Sequence, residues 1–365
     1  MLNRLHVQNF TVFADATFEF SPGLNVIVGT NGTGKSHVLK LAYAAQVVYA
    51  GAPREVPDVY APTEESTDVL VAVSMLSRLD EVFLPNGLKQ LVRRPGSPAA
   101  PPVMRATVRA SFGKNAIDAI AFAIAGDAPR NNSVLLPEPA TIGEPAQRPV
   151  FIPAKEMLSL MPSIIGLSDK FTPLLDSTYT DLARALVGPL LKTPPPAIHA
   201  VLNSLGQAMQ GTIQSENGRF YLLPKHGERL EITLVAEGYR KLGTLAYLLA
   251  NGTLNPDTTL YWDEPEANLN PALLRELASL LMQLASQGFQ IILATHSLFI
   301  LKELHILAHE QKSTVRYFGL SSQPAEPTQV IQCDNLEQLP DIVALDAELD
   351  QSDRFQAVLD QEDAH

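Results

Sequence analysis

The residues with the clearest chemical potential lie in a glycine-rich segment near the beginning of the chain. The run Gly29-Thr30-Asn31-Gly32-Thr33-Gly34-Lys35-Ser36 satisfies every fixed position of the pattern G-x-x-x-x-G-K-[ST]. Glycines allow the backbone to curl until successive N–H groups point at one phosphate, and a following helix adds its positive N-terminal end. The pattern therefore predicts a phosphate-binding loop. Its expected nucleotide contacts are Gly29, Asn31, Gly32, Thr33, Gly34, Lys35 and Ser36.

Two members of this loop have distinct expected roles. Lys35 would bridge the β- and γ-phosphates of ATP, and Ser36 would hold Mg²⁺. The context supports this interpretation, because the apolar run Val26–Val28 leads into the loop and a helix is expected from Lys35 to about Tyr49. A glycine-rich turn that binds no nucleotide is the alternative, and a chance match in this context is improbable.

A second candidate group is the acidic pair at the end of Thr259-Leu260-Tyr261-Trp262-Asp263-Glu264-Pro265. A buried strand delivers both carboxylates at its C-terminal end, where ligands bind in open α/β sheets. Asp263 suits Mg²⁺ binding, and Glu264 suits polarisation of the water that attacks the γ-phosphate. Alone, such a tripeptide is more often a helix cap or a turn. Together with the phosphate-binding loop, it predicts a catalytic pair.

The third candidate is a histidine at the end of another apolar run, Ile291-Ile292-Leu293-Ala294-Thr295-His296. A lone histidine at a strand end is usually structural. Here His296 is expected to contact the γ-phosphate and the attacking water as the second catalytic residue, because its strand would end beside the other two groups.

The elements around these residues predict an α/β fold. Helices are expected at about Glu237–Ala250 and Pro271–Ser286, and they alternate with the apolar runs already described and with a strand at Thr314–Phe318. A strand is also expected at Met104–Phe112, and a hairpin from Arg219–Leu223 and Arg229–Leu234. The run Pro194–Pro196 is expected to stop a helical region.

The order and spacing of the three groups resemble the ABC-type ATPase heads of the SMC/RecF/OLD group, most closely the small RecF-like AAA-family ATPases without a coiled coil. Residues 5–10 and 18–36, 149–159 and about 218–318 carry the resemblance. It implies a P-loop NTPase fold with a mainly parallel sheet, an antiparallel β part and a helical insertion. It also implies that two copies sandwich two ATP molecules, each site combining the phosphate-binding loop of one copy with a signature segment of the other.

The signature segment is expected at Leu234–Lys241, where the family usually has Leu-Ser-Gly-Gly-Gln. Ala236 and Glu237 depart from that pattern, so Gly238 and the helix N-terminus remain as the expected contacts to the partner copy's nucleotide. Arg240 or Lys241 could supply the lost interaction. The dimer-bridging loop is expected at Glu266–Pro271, where Asn270-Pro271 also suits a helix cap.

Composition limits the remaining possibilities. The chain of 365 residues has a net charge of −12 and one cysteine, Cys333, which excludes an internal disulfide. Neither a secretory leader nor an apolar run of membrane-spanning length is recognised, so a cytoplasmic protein with no membrane partner is expected. From Ile331 to the end, ten acidic residues oppose one basic residue. One basic stretch is a candidate DNA contact or a plain solvated surface. It comprises Arg78, Lys89, Arg93, Arg94, Arg105, Arg109 and Lys114.

The expected organisation is one ATPase head over 1–330 and an acidic tail over 331–365. Within the head, an N-terminal lobe covers 1–50 and about 104–155, insertions cover about 51–103 and 156–205, and a C-terminal lobe covers 206–330. We expect ATP hydrolysis that opens a head-to-head homodimer, coupled to DNA or to a separate partner protein. The resemblance favours the sensor ATPase of an antiphage defence system. A RecF-like repair ATPase and a nucleotide-switched scaffold with little turnover are the alternatives.

Overall fold

A computed structural model describes most of the chain. The described residues are 1–52, 64–94, 103–113, 118–126, 133–143, 146–161, 164, 175–323, 326–339, 351–358 and 360. Lys114 and much of the acidic tail, including 340–350, lie outside these ranges. Parts of the insertion expected at about 51–103, namely 53–63 and 95–102, also lie outside them.

The centre of the molecule is a six-stranded sheet that is parallel except at one edge. Its strands are β3 (Leu24–Gly29), β7 (Val150–Ile152), β11 (Thr259–Asp263), β12 (Gln290–Thr295), β13 (Val315–Ser321) and β14 (Gln329–Cys333). The spatial order is β14-β13-β3-β12-β11-β7, with β14 antiparallel to β13. Continuous burial of β3, β11 and β12 is typical of parallel strands covered on both faces.

A second sheet is antiparallel and lies over the N-terminal helices. It has the order β2-β1-β4-β5-β6. The strands are β1 (Leu2–Phe10), β2 (Phe13–Glu19), β4 (Arg105–Phe112), β5 (Asp118–Ala125) and β6 (Val134–Leu135). Its apolar side packs with α1 (Lys35–Gly51) and α2 (Glu64–Phe83) against one face of the parallel sheet, where Ile27, Tyr261 and Ile292 contribute side chains.

The opposite face of the parallel sheet packs on five helices. These are α3 (Ser177–Val187), α4 (Pro196–Ala208), α5 (Glu237–Ala250), α6 (Pro271–Ser286) and α7 (Leu298–Gln311). This second core contains Val26, Trp262 and Leu293, which are the strand neighbours of the residues that face the antiparallel sheet. The alternation of faces along each strand therefore explains how one apolar run supplies two cores. Among the described helices, none is both long and apolar enough to cross a membrane.

A third, three-stranded sheet corrects part of the sequence prediction. Strand β9 (Arg219–Pro224) pairs with β8 (Gly211–Glu216) as well as with β10, which is only Leu230–Glu231. Residues Ile232–Leu234 form a 3₁₀ turn rather than strand. The prediction for Pro194–Pro196 was also wrong in one respect, because Pro196 begins α4. Proline is well tolerated in the first turn of a helix, where its missing N–H would have no partner.

The sheet register brings the predicted functional residues to one edge. Strand β12 lies between β3 and β11, with Thr295 opposite Val28 and Ala294 opposite Asp263. All three strands run in the same direction, so the residues that follow them meet at their carboxyl ends. The lobe boundaries remain a prediction. Strands β3 and β7 of the predicted N-terminal lobe share this sheet with strands of the C-terminal lobe.

Candidate functional site

The phosphate-binding loop, Gly29–Ser36, joins β3 to α1 with the backbone that its glycines permit. Gly32 and Gly34 have φ angles of 85° and 95°, in the left-handed region that favours glycine. A Cβ on Gly34 would lie 2.6 Å from Cγ2 of Val12, whereas a Cβ on Gly32 would meet nothing within 4 Å. Gly34 is therefore needed for packing, and Gly32 leaves open space in front of the loop.

Lys35 lies inside this loop. Its Nζ donates hydrogen bonds to the carbonyl oxygens of Gly29 at 2.8 Å and Thr30 at 2.9 Å. Thr33 closes the same turn through Oγ1, which donates to the Thr30 carbonyl at 2.8 Å. Burial lowers the pKa of Lys35, and the nearby carboxylate of Glu264 opposes that shift. The loop thus holds a buried cation at the place where phosphates would approach.

The acidic pair lies beside the first turn of α1. Oγ of Ser36 donates a hydrogen bond to Oδ1 of Asp263 at 3.1 Å. Burial raises the pKa of Asp263 to about 6, although the Ser36 hydrogen bond opposes the shift. A hydroxyl and a carboxylate at this separation provide hard oxygen donors of the type that Mg²⁺ prefers.

Glu264 and His296 face each other across the ends of β11 and β12. Nδ1 of His296 lies 3.5 Å from Oε1 of Glu264 and 3.4 Å from Oε1 of Glu266. The side chains of His296 and Glu264 are 47% and 33% exposed, so both remain accessible to solvent. Glu264 has a φ angle of 47°, and its N–H donates to the Ala294 carbonyl at 2.9 Å. The fold thus brings together Lys35, Ser36, Asp263, Glu264 and His296, as the sequence predicted.

The resemblance is supported by comparisons with known proteins. Residues 153–302 match the family described as "AAA domain, putative AbiEii toxin, Type IV TA system", and residues 4–41 match one described as "AAA domain". Over 36 residues the chain is 58% identical to the DNA repair protein RecN of Aquifex aeolicus (strain VF5). That match spans 10% of this chain and only 7% of RecN.

Two solved structures share the fold over nearly their whole length. An SMC head bound to the C-winged helix domain of ScpA has a TM-score of 0.54 and 15% identity, covering 92% of this chain and 98% of that one. A Smc head with an extended coiled coil, bound to the C-terminal domain of ScpA derived from Pyrococcus furiosus, has a TM-score of 0.51 and 13% identity, covering 97% and 99%. The chain therefore has the fold of an SMC-type ATPase head, and two of its segments match AAA-domain families.

Glu266 is a residue of this site that sequence reasoning did not single out. Its Oε1 accepts hydrogen bonds from Oγ1 of Thr295 at 2.7 Å and from the His296 N–H at 3.0 Å. Its Oε2 is buried without a hydrogen-bond partner among the described residues. Glu266 therefore fixes the backbone beneath His296. Its position two residues after Glu264 was visible in the sequence, but its contact with the end of β12 was not.

The signature segment, Leu234–Lys241, departs from expectation in the direction of its side chains. Lys241 is only 2% exposed and donates from Nζ to the Glu264 carbonyl of its own chain at 3.3 Å. Arg240 pairs with Glu156, with 3.2 Å between Nε and Oε2. Neither cation is therefore free to replace the missing signature contact. Glu237 accepts a hydrogen bond from Nδ2 of Asn268 at 2.8 Å within the same chain.

Local packing and capping explain why positions 238 and 270 hold Gly and Asn. A Cβ on Gly238 would lie 3.0 Å from Cδ2 of Leu269, so the glycine allows α5 to approach the loop Glu266–Pro271, which was predicted to bridge a dimer. Asn270 is the N-cap of α6, and its side chain accepts from the Leu273 N–H at 2.9 Å. The contact of Gly238 with a partner copy's nucleotide remains a prediction.

A cavity of about 580 Å³ opens beside Gly32. It is lined by Thr11 of the β1–β2 turn, by His37 of α1, by Phe83 at the end of α2 and by Arg93 and Arg94 after α2, among others. The aromatic side chains of Phe10 and Phe13 do not line this cavity, because both are fully buried in the core. The sequence missed this cavity because its walls come from segments far apart in the chain.

The candidate DNA surface is divided by the fold. Arg78 is buried and pairs with Asp181, while Arg109 pairs with Glu138. Arg93 and Arg94 line the cavity beside the phosphate-binding loop. The predicted seven-residue patch is therefore wrong as a single surface within the described residues, since Arg78 is engaged inside the protein.

Proposed function

We propose that this chain binds Mg²⁺·ATP in the phosphate-binding loop and hydrolyses it to ADP and phosphate. The observation that carries the proposal is the 3.1 Å contact between Ser36 and Asp263, with Glu264 directly after Asp263 on the chain. The donor set fits the metal, because Ser36 and Asp263 offer oxygen ligands next to a buried lysine. When bound, Mg²⁺ would neutralise charge on the phosphates.

Different residues of the site have different roles in phosphoryl transfer to water. The loop N–H groups and Lys35 orient the phosphates, which is the main contribution expected of a protein in this reaction. Glu264 orients and polarises the attacking water, and His296 contacts the γ-phosphate and that water. Glu266 keeps His296 in place through its bond to the His296 N–H at 3.0 Å.

The cavity beside Gly32 is the proposed place for the nucleoside. It adjoins the loop that would hold the phosphates, and its volume of about 580 Å³ lies in the range of small-molecule sites. His37 and Phe83 offer ring surfaces there, with ring centroids 5.9 Å apart. Arg93 and Arg94 supply cations at the wall. A base can stack on such planar groups, so the cavity suits a nucleotide rather than a free phosphate.

The experiment that tests the ATPase proposal is a measurement of steady-state ATP turnover by the purified chain, with Glu264→Gln as the matched control. We expect turnover in the wild type and a loss of roughly 10²–10⁴-fold in the variant, the usual contribution of a general base. ATP binding without measurable wild-type turnover would instead support the nucleotide-switched scaffold, which the departures at Ala236 and Glu237 favour.

We propose further that two copies close head to head around two nucleotides, with Gly238 and the α5 N-terminus of one copy facing the nucleotide of the other. Leu234 lies three residues before α5 and is 76% exposed. Such an exposed apolar side chain supports the proposal that a second copy covers this surface. Light scattering on Glu264→Gln with and without ATP tests this proposal. An ATP-dependent doubling of mass is expected, and an unchanged monomer would refute it.

For the biological role we propose the sensor ATPase of an antiphage defence system, acting through a separate partner protein. The supporting observation is the matched family's description, which names a toxin of a toxin–antitoxin system. The test is phage challenge of cells carrying the chain with its neighbouring gene. Protection that depends on Lys35 supports the role, and plaque counts equal to those of the empty vector oppose it.

The match to the DNA repair protein RecN favours a second role, a DNA-linked repair ATPase. Turnover measured with and without double-stranded DNA separates the two roles. Strong stimulation by DNA favours repair or DNA sensing. Turnover that is indifferent to DNA points to a protein partner.

A further inference from the structure

Lys241 is a buried lysine that donates a hydrogen bond to the turn after β11. It lies in the second turn of α5, with 2% of its surface exposed, and Nζ is 3.3 Å from the carbonyl oxygen of Glu264. A lysine is rarely buried so completely unless its charge is compensated. The fold therefore places a cation against the backbone of the residue proposed to activate water.

The Glu264 turn needs external support. Glu264 has a φ angle of 47°, which is uncommon for a residue with a side chain. Such a conformation persists where the surroundings determine it several times over. Here the Glu264 N–H donates to Ala294 at 2.9 Å, and its carbonyl accepts from the Ala267 N–H at 3.2 Å as well as from Lys241.

The charges around Lys241 favour its ionised form in this position. Burial lowers its pKa, whereas the carboxylates of Glu266, Glu237, Glu264 and Glu156 raise it. These carboxylates come from the turn after β11, from α5 itself and from the segment after β7. The buried ammonium of Lys241 thus interacts electrostatically with all four of these carboxylates.

The helix that carries Lys241 is itself anchored. Arg240 pairs with Glu156, and Gly238 packs against Leu269 of the dimer-bridging loop. A movement at the N-terminal end of α5 would therefore be transmitted by Lys241 to the Glu264 backbone, one turn away.

We propose that Lys241 is a positioning residue that holds the Glu264 turn in its catalytic conformation and links it to the signature segment. This inference rests on the proposed function. It adds a connection within one copy between the helix end that would meet the partner's nucleotide and the carboxylate that would act on its own.

The test compares Lys241→Met, which keeps an unbranched side chain only one heavy atom shorter but removes the ammonium, with Lys302→Met, which removes an exposed lysine from α7. Amide hydrogen exchange is measured on nucleotide-free protein. The Glu264 and Ala267 amides should exchange at least about tenfold faster in Lys241→Met only, since an exposed conformation of the turn becomes accessible. Exchange equal to the wild type at these amides would overturn the inference.

Kinetics provide a second readout that a general loss of structure would not produce. Lys241→Met should lower kcat by about tenfold or more while the dissociation constant for a fluorescent ATP analogue changes less than about threefold. In a Glu264→Gln background, the same substitution should add little further loss, because Lys241 acts through Glu264. Equal effects in the two backgrounds would contradict the proposal.

A conservative variant covers the possibility that Lys241→Met folds poorly. Lys241→Arg keeps a cation and N–H donors, so it should retain more turnover per bound analogue than Lys241→Met or Lys241→Gln. If all three variants lose activity equally per bound analogue, the positioning role is wrong. If the wild type binds ATP without turnover, the proposed hydrolysis fails, whereas the exchange experiment still decides the role of Lys241.

Discussion

The hydroxyl of Ser36 lies 3.1 Å from a carboxylate oxygen of Asp263, although 227 positions separate the two residues in the chain. One follows β3 and the other ends β11, and β12 lies between those strands. The contact is possible because the three strands are parallel and end together. It is the structural basis for assigning metal binding and catalysis to a single site.

Removal of the Lys35 ammonium should abolish tight ATP binding. We expect Lys35→Ala to weaken the affinity by at least roughly 10-fold, because charge-assisted hydrogen bonds contribute about 1.5–3 kcal/mol each. Titration with a fluorescent ATP analogue measures this loss. Lys302→Ala on the exposed face of α7 is the control. An unchanged affinity in Lys35→Ala would refute the assignment of the phosphate-binding loop.

Glu264→Gln should separate binding from hydrolysis. The amide cannot accept a proton from water, so turnover should fall while ATP affinity stays within about threefold of the wild type. Equilibrium binding and single-turnover kinetics on the same sample measure both quantities. Normal hydrolysis by this variant would show that the carboxylate has been misassigned.

Asp263 should make the metal-free protein less stable as the pH rises from about 4 to about 6. Its pKa is raised from 3.8 to about 6 in the folded state, so the folded protein holds the extra proton through that window. The unfolding free energy therefore decreases with rising pH, by about 3 kcal/mol for this group in total.

The variant Asp263→Asn removes this titrating carboxylate and provides the measurement. Urea denaturation in the presence of a chelator, at pH values from about 4 to 7, should show a smaller decrease in stability for the variant than for the wild type. The comparison is between the two proteins, since the other carboxylates contribute equally to both. Identical pH profiles would argue against the raised pKa.

Gly34→Ala should damage the loop through sterics alone. The φ angle is 95°, and the new Cβ would lie 2.6 Å from Val12 and 2.8 Å from Phe13. We expect a loss of about 1–3 kcal/mol in unfolding free energy. Gly51→Ala is the matched control, because it ends the same helix and its Cβ would meet nothing within 4 Å. Equal stabilities of the two variants would contradict the described loop.

Charge reversal at Arg93 and Arg94 distinguishes a nucleotide wall from a DNA surface. Both residues line the cavity beside Gly32, whereas the nearby exposed Lys89 does not. ATP affinity should fall severalfold in Arg93→Glu and Arg94→Glu and remain unchanged in Lys89→Glu. If DNA binding is detected, all three reversals should weaken it and flatten its salt dependence. A DNA effect without an ATP effect would remove the nucleoside assignment.

The sequence by itself was enough to identify the candidate nucleotide-binding and catalytic residues and most of the helices and strands that position them. The phosphate-binding loop, the acidic pair and His296 were recognisable because each follows an apolar run, and the helices Glu237–Ala250 and Pro271–Ser286 were predicted with the observed bounds. Local patterns suffice here, since loop conformation, helix caps and strand burial depend on neighbouring residues.

Only the tertiary structure decided which side chains act together across the chain. The sequence could not show that Glu266 holds the His296 backbone, that Lys241 turns inward to Glu264, or that Arg78 is buried against Asp181. Each of these contacts joins elements that the sheet order and the helix packing bring together. A lysine or glutamate looks equally suited to solvent in the sequence. Its burial and its partner depend on the fold, because desolvation is tolerated only where a compensating group is already in place.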